Sequence, residues 1–215
     1  MQSPARMDVF SDVACPWCFI GFRNLQRVLA TWDGPAPEVH YRAFQLSPEH
    51  PPEGIPFEEL VDTKFGGRDR FDAMTQAVRD AGDTAGIVFA MDRVTVSPNT
   101  RLAHAVIAAS REAGRDGAVV DALFSGYFCE GVDITDAASI ASLLESHGAV
   151  NDPARLVADA ASGAWDAHVD ADLAIGAEIG VRAVPIFIAD GARGVVGAQP
   201  PEVLRQLMLG ELGAG

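Results

Sequence analysis

Asp12-Val13-Ala14-Cys15-Pro16-Trp17-Cys18-Phe19-Ile20-Gly21-Phe22 places a C-x-x-C motif between two apolar segments. Before it, Met7 to Phe10 is short, apolar and partly β-branched or aromatic, which predicts a buried strand. After it, Phe19, Phe22, Leu25 and Leu29 recur at three- and four-residue spacing with polar residues between them, which predicts an amphipathic helix. Pro16 suits the first helical turn, where its missing N–H leaves no intrahelical bond unmade. Cys15 then falls at or next to the N-cap, and Cys18 one turn inside. The positive end of the helix dipole and its free N–H groups stabilise an anion there, so Cys15 is expected to ionise more readily than an ordinary thiol. Its sulfur could itself cap the helix. Cys18, shielded within the turn, is placed to attack a mixed disulfide formed at Cys15.

Three blander readings compete with a redox pair. Half of a zinc site would need completion from Cys129 and five histidines, and no second C-x-x-C or H-x₃₋₅-H pair exists. Inert core cysteines fit poorly with a proline between them at a helix start. A structural disulfide across so small a loop would constrain the unfolded chain little. Strand, C-x-x-C and helix together favour redox chemistry.

Downstream, Asp33-Gly34-Pro35-Ala36-Pro37 is dense in turn residues, and the alternation from Val39 to Phe44 predicts a second strand. Strand, helix and strand with a parallel return form a βαβ unit. The segment 47–56 is a proline-rich loop leaving the sheet. From 57 to about 165 the pattern is helical, with helices expected over 57–65, 71–81, 100–113, 116–130, 136–147 and 152–162. The stretch 87–97 is ambiguous, with Val94-Thr95-Val96 placed in an extended loop. A helix over 165–179, strands near 185–189 and 194–197, and a final helix over 202–209 close the chain.

Composition sets outer bounds. With 215 residues the chain can bury a sizeable core, and 48% hydrophobic with 21% charged residues is ordinary for a globular protein. A formal charge of −14 argues against a nucleic-acid partner, which would need a basic face. No run approaches the ~20 apolar residues of a membrane span. Met1 to Met7 contains no apolar leader segment, so a cytoplasmic location is expected; in that compartment a C-x-x-C is more often catalytic than structural.

Ser11-Asp12, Cys15-Pro16-Trp17-Cys18 and Ile20-Gly21 resemble the DsbA-like thioredoxin superfamily, specifically its FrnE-like branch. The likeness recurs in Phe44-Gln45-Leu46-Ser47-Pro48, in Asn99-Thr100 with Ala103-His104, and in Tyr127-Phe128 with Glu130-Gly131. It ends in Gly180-Val181-Arg182-Ala183-Val184-Pro185 and Gly197-Ala198-Gln199-Pro200. The resemblance implies an α/β, thioredoxin-like fold with an inserted all-helical subdomain. Residues 1–56 and 165–215 would form the discontinuous thioredoxin-like domain and 57–164 the insertion. It also implies that Pro185 is cis beside the cysteines, leaving the Val184 backbone to pair with an extended substrate. The related kappa-class glutathione transferases and hydroxychromene-carboxylate isomerases hold the γ-glutamyl end of glutathione near Gln199, but generally carry Ser where this chain has Cys15.

The expected function is thus a thiol–disulfide oxidoreductase, with Cys15 as nucleophile and Cys18 as resolving thiol, supported by Pro16, Trp17, Val184 and Pro185. Its partners would be thiol or disulfide substrates, protein or small molecule. No bound cofactor is expected beyond the Cys15–Cys18 disulfide itself, with glutathione as a candidate co-substrate. Asn99, His104 and Gln199 are candidate contacts to substrate or glutathione. For Asn99 the competing reading is a helix cap, for His104 a hydrogen-bonded packing residue at a domain junction. Trp17 and Phe19 flank the thiols and could present an apolar surface to a substrate, the competing reading being that Phe19 is simply core; Cys129 reads as a small buried hydrophobe, with a third redox cysteine as the alternative. The rival functions are a glutathione-dependent isomerase or transferase, and a chaperone-like peptide binder with an apolar groove beside Trp17.

Overall fold

The computed structural model describes residues 6–212; the part of the N-terminal reading that concerns residues 1–5 lies outside them. Strand β1 (Arg6–Ser11), helix α1 (Pro16–Ala30) and strand β2 (Glu38–Ala43) form the expected βαβ unit. β1 and β2 pair in parallel, Met7 opposite Val39 and Ser11 opposite Ala43. After the loop come β3 (Ile55–Pro56), α2 (Phe57–Leu60) with a π-turn over Val61–Phe65, and α3 (Arg68–Ala85). A 3₁₀ turn at Met91–Arg93 leads to β4 (Val96–Ser97), α4 (Arg101–Arg111) and α5 (Asp116–Ser125), the last extended by a π-turn over Gly126–Glu130. Then follow α6 (Ala137–Ser146), α7 (Pro153–Ala161), α8 (Asp166–Glu178), β5 (Ile186–Ala189), β6 (Arg193–Val196) and α9 (Pro201–Leu209).

β5 runs antiparallel to β1 and β6 antiparallel to β5, giving the sheet order β2-β1-β5-β6. Successive side chains of β1 point to opposite faces. Phe187, across from Val9, packs against Gly21 of α1, whereas Phe10 packs against Gly176 of α8. Helices therefore cover the sheet on both sides, which is why Val9 and Phe10 of β1 are both buried although they point to opposite faces.

The insertion is tied to this domain through α1. Phe19 stacks on Phe124 at 5.1 Å and on Phe128 at 6.2 Å, and meets Phe89 edge-on at 6.0 Å. Phe19 is core.

The structure departs from the sequence reading in three places. Residues 94–97 do not merely form a loop: Val96 and Ser97 pair antiparallel with Pro56 and Ile55, so the insertion carries a minimal two-stranded element. Two residues are too short to leave a period-two signal. α3 runs from Arg68 to Ala85 rather than 71–81, continuing through Gly82. A Cβ at Gly82 would lie 2.4 Å from the Phe89 ring, so the glycine makes room for that ring and does not end the helix. The segments 57–65 and 116–130 are each an α-helix completed by a π-turn, ended by Gly66 and Gly131 at positive φ.

Among the described residues no helix is long and apolar enough to cross a membrane. Nor do any three or more His, Cys, Asp or Glu residues among them cluster so as to hold a metal ion.

Candidate active site

Cys15 is the N-cap of α1, in extended conformation (φ −99°, ψ 114°), with Pro16 at the first helical position. Its N–H donates to the Asp12 carbonyl at 3.0 Å, and its carbonyl accepts from the N–H groups of Cys18 and Phe19 at 3.0 and 3.2 Å. The sulfur, however, forms no capping bond to the helix. A neutral thiol is a poor acceptor and a weak donor, and Cys15 Sγ instead faces the Val184 carbonyl at 3.9 Å. The helix amides act on the ionised form. Cys15 lies below its usual value chiefly because the Cys18 thiol donates to the thiolate; burial opposes this, the backbone N–H groups of Cys18 and Trp17 assist, and the Asp12 charge opposes. Cys18 is pushed well up, first by burial, then by its bond to Cys15, with Cys15 and Asp12 repelling a second anion. The helix terminus contributes to the asymmetry, and the neighbouring thiol contributes more.

The other half of the site arrives from the far end of the chain. Val184–Pro185 is a cis peptide at the corner leading into β5. The buried Pro185 lies over Gly21 of α1, where an added Cβ would meet its ring at 3.1 Å and Phe187 at 3.0 Å. Its carbonyl accepts from Gly197 N–H at 2.7 Å, which fixes the corner to the turn before α9. Trp17 is 38% exposed beside the thiols, at the edge of an apolar cavity shared with α2 and α3.

Asp12 is a participant to which no role was given in the sequence reading. It is 1% exposed; Oδ1 accepts from Ala14 N–H at 3.1 Å and Oδ2 from Leu46 N–H at 2.6 Å. The carboxylate thereby joins the cysteine turn to the segment after β2. His104, on α4, places Nε2 2.9 Å from the Phe44 carbonyl and 3.7 Å from Asp12 Oδ1. It is buried where the insertion meets the sheet domain. The signal for Asp12 was an ionisable residue within an apolar run; its partners come from positions the sequence does not bring together.

The remaining candidates lie elsewhere. Asn99 accepts from Gln45 Nε2 at 2.9 Å and from Arg101 N–H at 3.1 Å, and donates to the His50 carbonyl at 2.7 Å. It thus does capping work although Thr100 is the N-cap residue. The Gln199 side chain turns back to donate to the Val196 carbonyl at 2.7 Å, while its own carbonyl accepts from Asn24. Cys129 is half-buried at the end of the second π-turn, its pKa raised by burial, and its charged neighbours are Arg23, Glu130 and Asp121.

Strand, dithiol turn, helix and a proline corner on one four-stranded sheet define a thioredoxin-like protein. The chain belongs to the DSBA-like thioredoxin domain family, whose model matches residues 6–209. It is similar to the structure of a probable DsbA oxidoreductase from Streptomyces coelicolor, at 28% identity and a TM-score of 0.82, over 97% of this chain and 92% of that one. A 2-hydroxychromene-2-carboxylate isomerase shares the fold at 16% identity, TM-score 0.71 and 94% coverage of both chains. So does the cytosolic disulfide reductase DsbM of Pseudomonas aeruginosa, at 16% identity and TM-score 0.68, covering 96% of this chain and 98% of that one. No curated protein sequence matches the chain.

Proposed function

We propose that this protein is a cytoplasmic thiol–disulfide oxidoreductase in which Cys15 attacks and Cys18 resolves. The observation that carries the reading is a pair of thiols one helical turn apart with opposite bias: Cys15, at the N-cap, has its pKa lowered, and Cys18, buried in the first turn, has its pKa raised well above the usual value. In the reducing direction the Cys15 thiolate attacks one sulfur of a substrate disulfide, forming a mixed disulfide and releasing one substrate thiolate, which takes up a proton. Cys18 then loses its proton and attacks Cys15 Sγ, expelling the second substrate thiolate. Two electrons pass from the cysteine pair to the substrate, and the enzyme is left with a Cys15–Cys18 disulfide. The oxidising direction is the reverse. The Val184 backbone would align the substrate strand next to Cys15. A cytoplasmic setting accords with the cytosolic assignment of DsbM, which shares the fold.

A glutathione-dependent isomerase is the rival reading, supported by the fold shared with the hydroxychromene-carboxylate enzyme and by the structure of DsbM with glutathione. Holding a glutathione thiolate needs no second cysteine, whereas dithiol exchange does. Glutathione fits better as a co-substrate that reduces or oxidises the pair.

The test is reduction of insulin disulfides, together with trapping of intermediates. Wild type is expected to turn over, Cys15→Ser to be inactive, and Cys18→Ser to accumulate mixed disulfides on Cys15. Turnover that survives Cys15→Ser would overturn the assignment. Isomerase activity that is retained in Cys18→Ser, without disulfide exchange, would move it to the glutathione-dependent class.

A further inference from the structure

Asp12 is a buried carboxylate without a permanent counter-ion. Both its oxygens accept backbone N–H groups, from Ala14 and Leu46, and among the described residues no Lys or Arg stands within ion-pair distance of it. The titratable group that does is His104 of α4, itself buried, with Nε2 3.7 Å from Oδ1. Oδ1 is also the oxygen that Ala14 N–H reaches, so the histidine meets the carboxylate on the side of the cysteine turn. A carbonyl can only accept, so the 2.9 Å contact to Phe44 fixes the ring hydrogen on Nε2. Nδ1 is then the atom open to a second proton. The groups facing the pair come from several elements. The cysteine turn brings Cys15 and Cys18, both under the Asp12 charge. The π-turn after α5 brings Tyr127, whose hydroxyl donates to the Val96 carbonyl. On α4 itself, Arg101 is paired with Asp166 and Asp170.

The charge balance at this place depends on the state of the cysteines. With the disulfide closed, Asp12 carries the negative charge alone. With the disulfide open, the Cys15 thiolate adds a second anion, and two like charges out of water favour a cation beside them. Resting on the oxidoreductase reading above, we infer that His104 is the proton partner of the cysteine pair, charged when the pair is reduced and neutral when it is oxidised. The step balances with two glutathione thiols as reductant. The Cys15–Cys18 bond breaks, the sulfur–sulfur bond of glutathione disulfide forms, and two electrons pass to the pair. Of the two protons that glutathione gives up, one goes to Cys18 and one to His104 Nδ1, while Cys15 remains a thiolate. His104 acts through Asp12 and touches no reacting atom. It is a positioning residue that sets how strongly reducing the pair is.

The test is the equilibrium of the pair with glutathione, followed over one pH unit around ~7. In wild type both protons stay on the protein, so the equilibrium constant should be nearly independent of pH. His104→Gln keeps a donor for the Phe44 carbonyl but takes up no proton. One proton is then released on reduction, and the constant should rise ~tenfold per pH unit, equivalent to ~30 mV for a two-electron couple. Independently of any variant, ¹⁵N spectra of the wild-type histidine rings should show one protonated nitrogen on His104 in the oxidised protein and two in the reduced. The same pH dependence in both proteins, with a ring unchanged on reduction, would overturn the assignment and leave the oxidoreductase standing. A ring that gains its proton on reduction by a chemical dithiol, in a protein that turns over no insulin disulfide, would keep the role of His104 and overturn the oxidoreductase.

Discussion

At Cys15 several local forces act on one proton. Burial and the Asp12 charge favour the thiol; the Cys18 thiol and two backbone N–H groups favour the thiolate and prevail. Since the largest contribution comes from Cys18, its removal should be felt. Cys18→Ala is expected to raise the pH midpoint of Cys15 alkylation relative to wild type, with Cys18→Ser intermediate because its hydroxyl can still donate. Wild type should lie below the ~8.5 of a free thiol, so its attack rate rises with pH earlier than that of an ordinary cysteine. A midpoint unmoved by Cys18→Ala would assign the bias to the helix terminus alone. Asp12 gives the opposite sign. Asp12→Asn removes a charge that opposes ionisation, so the Cys15 midpoint should fall. Stability should also fall by ~1–3 kcal/mol, because an amide cannot accept from both Ala14 and Leu46. Alkylation against pH and urea unfolding separate the two effects, and an unchanged or raised midpoint would leave Asp12 purely structural.

Among the elements, α1 and β5 meet where Gly21 leaves no room for a side chain. Alanine there gains ~1 kcal/mol of helix propensity. Its Cβ would stand 3.0 Å from Phe187, a ring with no exposed surface and nowhere to move. Overpacking of this kind costs ~1–3 kcal/mol, so Gly21→Ala should be net destabilising by up to ~2 kcal/mol, read as a lower urea midpoint at constant m. A stabilised variant would show that β5 yields. The same contrast explains what the sequence could reveal. The β1–α1–β2 unit and the cysteine turn were legible because strand period, helix period and Pro16 act over a few residues. The roles of Gly21 and Gly82 depend on Phe187 and Phe89, which fold in from elsewhere, and the β3–β4 pair has no periodicity to detect. Asp12 and His104 were visible as residues but not as neighbours.

Across the whole molecule, charge holds β1, β2 and α8 together. Arg42 binds Asp8 at 2.8 Å and Asp172 at 2.7 Å, and Arg6 adds a second bond to Asp8. Burial alone would raise the Asp8 pKa, but the hydrogen bonds and charges of Arg42 and Arg6 hold it below its usual value. A depressed carboxyl pKa contributes stability that is complete above the unfolded value of ~3.9 and lost as pH falls through the folded one. Asp8→Asn should therefore cost ~1.5–3 kcal/mol at pH 7, with the deficit shrinking below about pH 4. A deficit independent of pH would assign Asp8 a packing role. At this scale the site is also a matter of timing. Cys15 and the carbonyl it faces lie 169 positions apart in the chain. A ribosome adding ~5–20 residues per second releases the cysteine turn roughly ten to thirty seconds before Val184 exists. Throughout that interval the nascent chain carries two thiols on an unfinished sheet, so the period of greatest exposure to stray oxidants falls during its own synthesis.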